Sequence, residues 1–469
     1  MKKMKKFFSM ATLVLVGAMM TGCSSDNDSI IDNPQQPENK SKVVTLTTTV
    51  GFSGGTGTRA LASDGTKTFA DGDQMAVIYK NNSNQTIKTV ASLTNGAGTS
   101  SGTFTVTLDD PDNTKAIRYI YPAAMAKETV ATDATIDDAG TIDFTKLNSQ
   151  NGLLTKLGST LDLCTLDAAS WTSGALPTGM LANQFAILAI KLKKGDDITS
   201  SITGMNISDG TNTYNVSGLS SASTIYVAIR PTSGADINVT ATDGVNSYGK
   251  FLKGKTYEAS NGYNVTWNML KRVDLSTFSY SLYDVYEDVI LTGTPVIVND
   301  NSFHIFCNGY NYEVTLDNVN SEGTKKVFIY AGKYNINVKL KGTSRLTHIA
   351  SHESSMTIDE AVAGGTVILI YEEGSPLDGK SVTINGGTVK AKSGQLYAVD
   401  GDLTVNGGAI YLAGGIGKYF QDEMQAVKQT PISGSVTVYG WTGSEWGAYS
   451  DQRYATTDNT SGDPTAWTW

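Results

Sequence analysis

Three copies of one short pattern constrain what the C-terminal part of this chain can fold into. Ala363-Gly364-Gly365-Thr366-Val367-Ile368-Leu369, Asn385-Gly386-Gly387-Thr388-Val389-Lys390-Ala391 and Asn406-Gly407-Gly408-Ala409-Ile410-Tyr411-Leu412 recur 22 and 21 residues apart. Each follows a β-rich tetrad: Ser355-Met356-Thr357-Ile358, Ser381-Val382-Thr383-Ile384 and Asp402-Leu403-Thr404-Val405. This period suits one turn of a β-solenoid. The Gly-Gly pair makes the tight corner between two short strands, and Val, Ile and Leu at matching places stack into a continuous core. Weaker turns are predicted at 312–318 and 336–342. The pattern predicts a right-handed parallel β-helix within residues 271–469.

The preceding part alternates with period two, as in Val43 to Val50, Gln74 to Tyr79 and Gly102 to Leu108. Asp64-Gly65, Asp71-Gly72, Asn95-Gly96 and Asp110-Pro111-Asp112 punctuate it as turns. Charged residues make up 17% of the chain and there are 48 glycines, a balance that favours strands and turns. The expected fold class is all-β: two β-sandwich subdomains at 44–155 and 156–270, with the break in the polar stretch 145–160, then the solenoid. Net charge is −9 and no stretch combines Lys and Arg with aromatics, which argues against nucleic acid as a partner. Cys164 and Cys307 fall in different predicted domains and read as isolated buried thiols.

The first residues read as an export signal. Lys2, Lys3, Lys5 and Lys6 precede a short apolar run from Phe7 to Met20, which is too short for a bilayer span. Met20-Thr21-Gly22-Cys23 resembles a lipobox, with Met20 where Leu is usual. Residues 1–22 are then a lipoprotein signal peptide, Cys23 the lipidated first residue of the mature chain, and 23–43 an acylated tether. The acidic start Ser24-Ser25-Asp26-Asn27-Asp28 resembles the signal that sends lipoproteins of Gram-negative gut and oral anaerobes to the outer face. The expected location is the outer membrane surface.

Several features in order resemble the fimbrillin-like proteins that build pili and surface lipoproteins of such bacteria. They are the lipobox start, Thr58-Arg59-Ala60 after the first strand, Phe69-Ala70-Asp71-Gly72-Asp73-Gln74-Met75-Ala76-Val77, Tyr119-Ile120-Tyr121-Pro122 and Leu252-Lys253-Gly254-Lys255-Thr256-Tyr257. The resemblance covers roughly residues 44–270. It implies two β-sandwich subdomains, partners among like subunits joined by strand exchange, and processing by an arginine-specific protease after Arg59. The solenoid half looks like carbohydrate-binding β-helix modules of bacterial surface proteins, which implies a polysaccharide or host glycan as ligand.

Motifs for chemistry are few. Gly374-Ser375-Pro376-Leu377-Asp378-Gly379-Lys380-Ser381 fits the P-loop pattern. A phosphate cradle needs a helix at the lysine, whereas Val382-Thr383-Ile384 is β-branched, so a turn between solenoid rungs is expected. Gly55-Thr56-Gly57-Thr58-Arg59-Ala60 imitates a dinucleotide fingerprint and reads as a loop for the same reason. His348 and His352 stand four apart in a segment, Thr347 to Ser355, that reads as an inter-rung loop without a third metal ligand. No G-x-S-x-G elbow is present. Asp378, Asp400 and Asp402 lie near successive corners. Turn duty explains them; Ca²⁺ is the one cofactor such corners could hold, and no other is expected.

The candidate ligand-binding residues are Lys390, Lys392, Tyr411, Tyr439, Trp441 and Trp446. Lys390 and Lys392, two apart on a strand, share one face and favour an acidic polymer. Aromatic faces suit sugar rings, but Tyr439, Trp441 and Trp446, like Tyr280, Tyr283, Tyr286, Tyr449, Trp467 and Trp469, suit capping of the solenoid ends better. The expectation is a non-enzymatic adhesin, an accessory or tip component of fimbriae. A stand-alone glycan-capturing lipoprotein and a β-helix polysaccharide lyase or hydrolase are the competing functions.

Overall fold

The strand Ser101–Asp109 shows why the first part of the chain folds as it does: Phe104, Val106 and Leu108 point inward while Thr103, Thr105 and Thr107 face out. In the computed structural model the described residues are 42–52 and 67–413, without 156, 158–160, 162, 173, 220, 279–281, 296–301, 310, 322–325 and 395–396. Beyond them the strands Ser433–Gly434, Thr437–Trp441, Trp446–Ala448 and Tyr454–Thr456 are described. The signal peptide, Cys23, the tether up to residue 41, Arg59, Tyr280, Tyr449, Trp467 and Trp469 lie outside these residues, as do the side chains of Tyr439, Trp441 and Trp446, while Val43, expected in the tether, opens the first strand. Among the described residues no helix is long and apolar enough to cross a membrane.

Val43–Phe52 pairs antiparallel with Ser101–Asp109, and the sheet continues through Thr86–Asn95, Gln74–Lys80, Ile117–Tyr121, Cys164–Ala168 and Gly179–Asn183. It closes as a barrel, because Gly179 to Leu181 return parallel to Val50 to Phe52. Closure removes most of the exposed edge that an open sheet would carry. The first subdomain was expected to end at residue 155, yet two of its strands lie beyond that point. Conversely, Ser149–Gln150 pairs with Thr213–Ser217 in the next body. The chain crosses between the two bodies before either is complete.

The second body packs a sheet of Ala186–Lys194, Asp196–Asp197, Ile225–Ile229 and Gly262–Asn268 against Gly204–Ser208, Thr213–Ser217, Thr232–Thr242 and Ser247–Tyr257. Its core contains Leu188, Ile190, Val227, Ile207 and Val239, together with Ala76, Ile78 and Ile120 from the outside of the barrel. Met75, Val77 and Tyr79 on the same barrel strand point the other way into the barrel core. Gln74–Lys80 is therefore apolar on both faces, and the two bodies share it.

The remainder is a parallel coil with three faces. The first face stacks Leu270–Asp274, Val289–Thr292, Tyr312–Asp317, Ile336–Lys341 and then the tetrads seen in the sequence, with Ser355, Ser381 and Asp402 in register and Ile358, Ile384 and Val405 in register. The second stacks Leu282–Val285, Ser302–Cys307, Lys326–Tyr330 and the opening residues of His348–Glu360 and Leu377–Ile384. The third stacks Thr343–Leu346, Thr366–Tyr371, Thr388–Ser393 and Ala409–Ala413. One core fills the coil from Val273 to Leu412. The sequence repeat is the structural register: Thr366, Thr388 and Ala409 lie side by side, and the Gly-Gly pairs stack at the corner leading to them. At Gly387 φ is +77° and an added Cβ would lie 2.9 Å from the Gly365 carbonyl oxygen, so the corner has neither the conformation nor the space for a side chain.

Two expectations about local structure divide here. The P-loop-like segment turns only over its first residues, Gly374 to Pro376; the expected turn gives way from Leu377 onward to the strand Leu377–Ile384, which contains Lys380, so no helix begins at the lysine. The stretch around His348 and His352 is not a loop but the strand His348–Glu360, which turns from the second face to the first at a register shift between Ser351 and Ser355. Its polar residues look loop-like because a bend between two sheets exposes them.

No chain break in the sheet marks residue 270. Ser247 to Gly249 pair antiparallel with Leu270 to Arg272, so one sheet runs from the second body into the first face of the coil. Gly249 is bare where a Cβ would meet Ile290 Cδ1 at 2.5 Å. Asp236 accepts the backbone N–H of Ala363 at 3.0 Å, and Lys253 pairs with Glu360 at 2.6 Å. Lys341 lies over the Phe251 ring at 4.6 Å and pairs with Asp317 at 3.2 Å.

Candidate functional site

On the strand Thr388–Ser393, Val389, Ala391 and Ser393 are buried while Thr388, Lys390 and Lys392 face outward, as strict alternation demands. Parallel register carries this outer row across the third face. Arg345, Ile368, Lys390 and Tyr411 form one line, and Ile370, Lys392 and Ala413 the next. Lys390 Nζ stands 5.4 Å from the centroid of the Tyr411 ring, within cation–π range.

The third face continues past Ala409–Ala413 with antiparallel strands. Ala413 is opposite Tyr454, Tyr454 is opposite Tyr439, and Trp441 is opposite Trp446. Directly opposed residues share a face, and so do residues two apart on a strand. The register positions of Lys390, Lys392, Tyr411, Tyr439, Trp441 and Trp446 are thus all on one face of one sheet. Neighbouring strands lie about 4.8 Å apart and alternate residues about 7 Å, so Arg345, Lys390, Lys392 and Tyr411 are held at fixed spacing, with Ile368, Ile370 and Ala413 among them.

A column of aromatic side chains on the coil was not foreseen. On the second face His304 and Phe328 stack at 5.1 Å with an interplanar angle of 9°, and Phe306 and Tyr330 stack beside them at 5.5 Å. Tyr371 meets Phe328 edge-on at 5.8 Å, and its ring centroid is 5.3 Å from that of His348. Rings stacked along the coil axis turn their faces to one another, and Phe328 and His348 among them are buried. The column contributes packing rather than a platform for a sugar. The signal was present in Phe303-His304-Ile305-Phe306 and Val327-Phe328-Ile329-Tyr330, two alternating strands whose outer positions are aromatic.

His348 closes this column. It is 6% exposed, neither ring nitrogen has a hydrogen-bond partner, and burial, aided by the neighbouring His352, pushes its pKa down to about 4. His352 Nδ1 instead lies 2.9 Å from Asp378 Oδ2. Among the described residues no group of three His, Cys, Asp or Glu side chains is arranged to hold a metal ion. Of the three corner carboxylates, Asp378 and Asp400 are in register on the second face, whereas Asp402 is aligned with Ser381 on the first.

No protein-family model matches the sequence, and no curated protein matches it. Solved structures similar to parts of the chain include a fimbrial assembly protein from Parabacteroides distasonis, with 10% identity and a TM-score of 0.28 over 48% of this chain and 90% of that one. A candidate cell adhesion protein from Bacteroides uniformis has 16% identity and a TM-score of 0.27 over 50% and 94%. Another from Bacteroides fragilis has 12% identity and a TM-score of 0.29 over 48% and 92%. Likeness at this level says nothing of ligand or partner.

Proposed function

We propose that this chain is a lipid-anchored surface adhesin of the fimbrillin-like kind, and that the third face of its solenoid binds an acidic polysaccharide without cleaving it. The observation that carries the reading is the common face of Lys390, Lys392 and Tyr411 with the strand positions Tyr439, Trp441 and Trp446. Cations meet the carboxylates or sulfates of such a polymer, aromatic rings pack on its sugar faces, and a rigid grid lets many weak contacts add. With a net charge of −9, unspecific attraction to a polyanion is opposed, so binding depends on this face. Replacing both Lys390 and Lys392 by Ala is expected to weaken binding of an acidic polysaccharide roughly tenfold or more, and to leave a neutral one unaffected. Isothermal titration with matched acidic and neutral polymers measures this. Unchanged affinity in a variant of unaltered circular dichroism rejects the site, and release of reducing or unsaturated sugar moves the protein to the lyases and hydrolases.

Anchoring and assembly belong to the same proposal. Acylation at Cys23 holds the protein at the outer membrane, and Cys23→Ala is expected to move it from the membrane to the soluble fraction. Retention of Cys23→Ala in the membrane, with an unchanged mature N-terminus, excludes the lipid anchor. Cleavage after Arg59 then prepares the barrel for strand exchange with a like subunit. Sequencing the N-terminus of protein taken from cells decides that step: a chain that keeps residues 24–59 has not undergone it.

A further inference from the structure

A lysine is buried in the wall of the barrel against a cysteine. Lys67 is 7% exposed, and its Nζ lies 4.3 Å from the centroid of the Phe52 ring and 4.8 Å from that of Tyr121. The same nitrogen donates to Cys164 Sγ at 3.5 Å. Cys164 is fully buried at the start of the strand Cys164–Ala168, opposite Tyr121 on one side and Asn183 on the other. The rings hold the amine in place, and the strand holds the sulfur.

From this geometry we propose that Lys67 and Cys164 form a covalent Nζ–Sγ cross-link when the protein meets hydrogen peroxide. The thiolate is the reacting form of a cysteine, and a neighbouring ammonium favours that form. Sulfur attacks one peroxide oxygen, the O–O bond breaks, and sulfenic acid and hydroxide result. Hydroxide takes a proton from the ammonium to give water and the free amine. The amine then displaces hydroxyl from sulfur, forming the S–N bond and releasing a second water after proton transfer. Sulfur loses two electrons, peroxide gains them, and the protein loses two hydrogens. Sulfenic acids already make this kind of bond to backbone nitrogen. A nitrogen within contact distance lets condensation compete with over-oxidation, because water is largely excluded from the site and a second peroxide must diffuse in.

The bond would join residues 97 apart in sequence and tie the segment behind the first strand to the far wall of the barrel. Cys307 is the internal control: it is buried among Val, Ile and Leu of the coil, and burial pushes its thiol up to about 12. Peptide mapping of the full chain after peroxide treatment is expected to yield a linked peptide containing Lys67 and Cys164, lighter than its parts by about 2 Da and cleaved by dithiothreitol. Cys307 should remain alkylatable after unfolding. Lys67→Arg keeps the charge but removes the nucleophile, so its Cys164 should reach sulfinic acid with no linked peptide. A wild-type Cys164 that stays reduced, or that reaches sulfinic acid without a linked peptide, overturns the proposal whether or not the variant folds.

Discussion

Gly401→Ala is expected to destabilise the coil by about 4 kcal/mol or more, enough to unfold it in mild denaturant. The strand Val399–Val405 turns from the second face to the first at this residue, with one residue fewer than the strand beside it: Asp378 and Ser381 are aligned with Asp400 and Asp402. Gly401 reaches across the missing position with φ at +146°. A Cβ there would lie 1.7 Å from the Gly379 carbonyl oxygen. That oxygen belongs to backbone held in its own rung, so relief means breaking pairs on two faces. Gly364→Ala is the comparison. Its φ of +83° is also unfavourable to a side chain, but nothing lies within 4 Å of the added atom. Only the backbone cost of about 1–2 kcal/mol applies there. Urea denaturation of the two variants separates steric from conformational cost. Equal destabilisation would refute the steric account.

The second large effect is acid sensitivity. The imidazole of His348 has its pKa lowered from 6.5 to about 4 in the folded chain, first by burial and then by His352. Between those values the unfolded chain binds a proton that the folded chain does not. Stability conferred by a neutral His348 is therefore complete above pH 6.5, declines as pH falls toward 4, and changes no further below it. The loss over this window amounts to about 3 kcal/mol. His304, also lowered by burial, adds in the same direction. His348→Phe keeps a ring between Phe328, Tyr330 and Tyr371 and removes the proton site. The difference in unfolding free energy between wild type and His348→Phe should thus shrink or reverse steadily from pH 7 to pH 4. A difference independent of pH would show that His348 titrates alike in both states.

What the sequence revealed best is what repeats. The Gly-Gly corners and the tetrads before them recur because identical rungs must stack, so spacing along the chain became register in space at Ile358, Ile384 and Val405. Lys390 and Lys392 were assigned to one face by alternation alone, a local rule that tertiary structure did not disturb. The barrel was harder to see. Its last strands, Cys164–Ala168 and Gly179–Asn183, are short and separated from the others by irregular chain, so nothing local assigns them to the barrel. The His348 column was missed for a related reason. His304, Phe328 and His348 are neighbours only across rungs, outside the part of the solenoid where the repeat is visible.

The pairing of Ser247 to Gly249 with Leu270 to Arg272 leaves no linker between the second body and the coil. A binding face on the coil then has its angle set by hydrogen bonds, and capture of a ligand costs none of the freedom that a flexible connection would lose. If two such molecules grip one polymer, as the proposed function has it, no hinge at the base of the coil makes up for poor placement, and adjustment is left to the tether that precedes the barrel. On the proposed function, the spacing of such molecules, matched or mismatched to the reach of the polymer, would decide whether their affinities multiply or act singly.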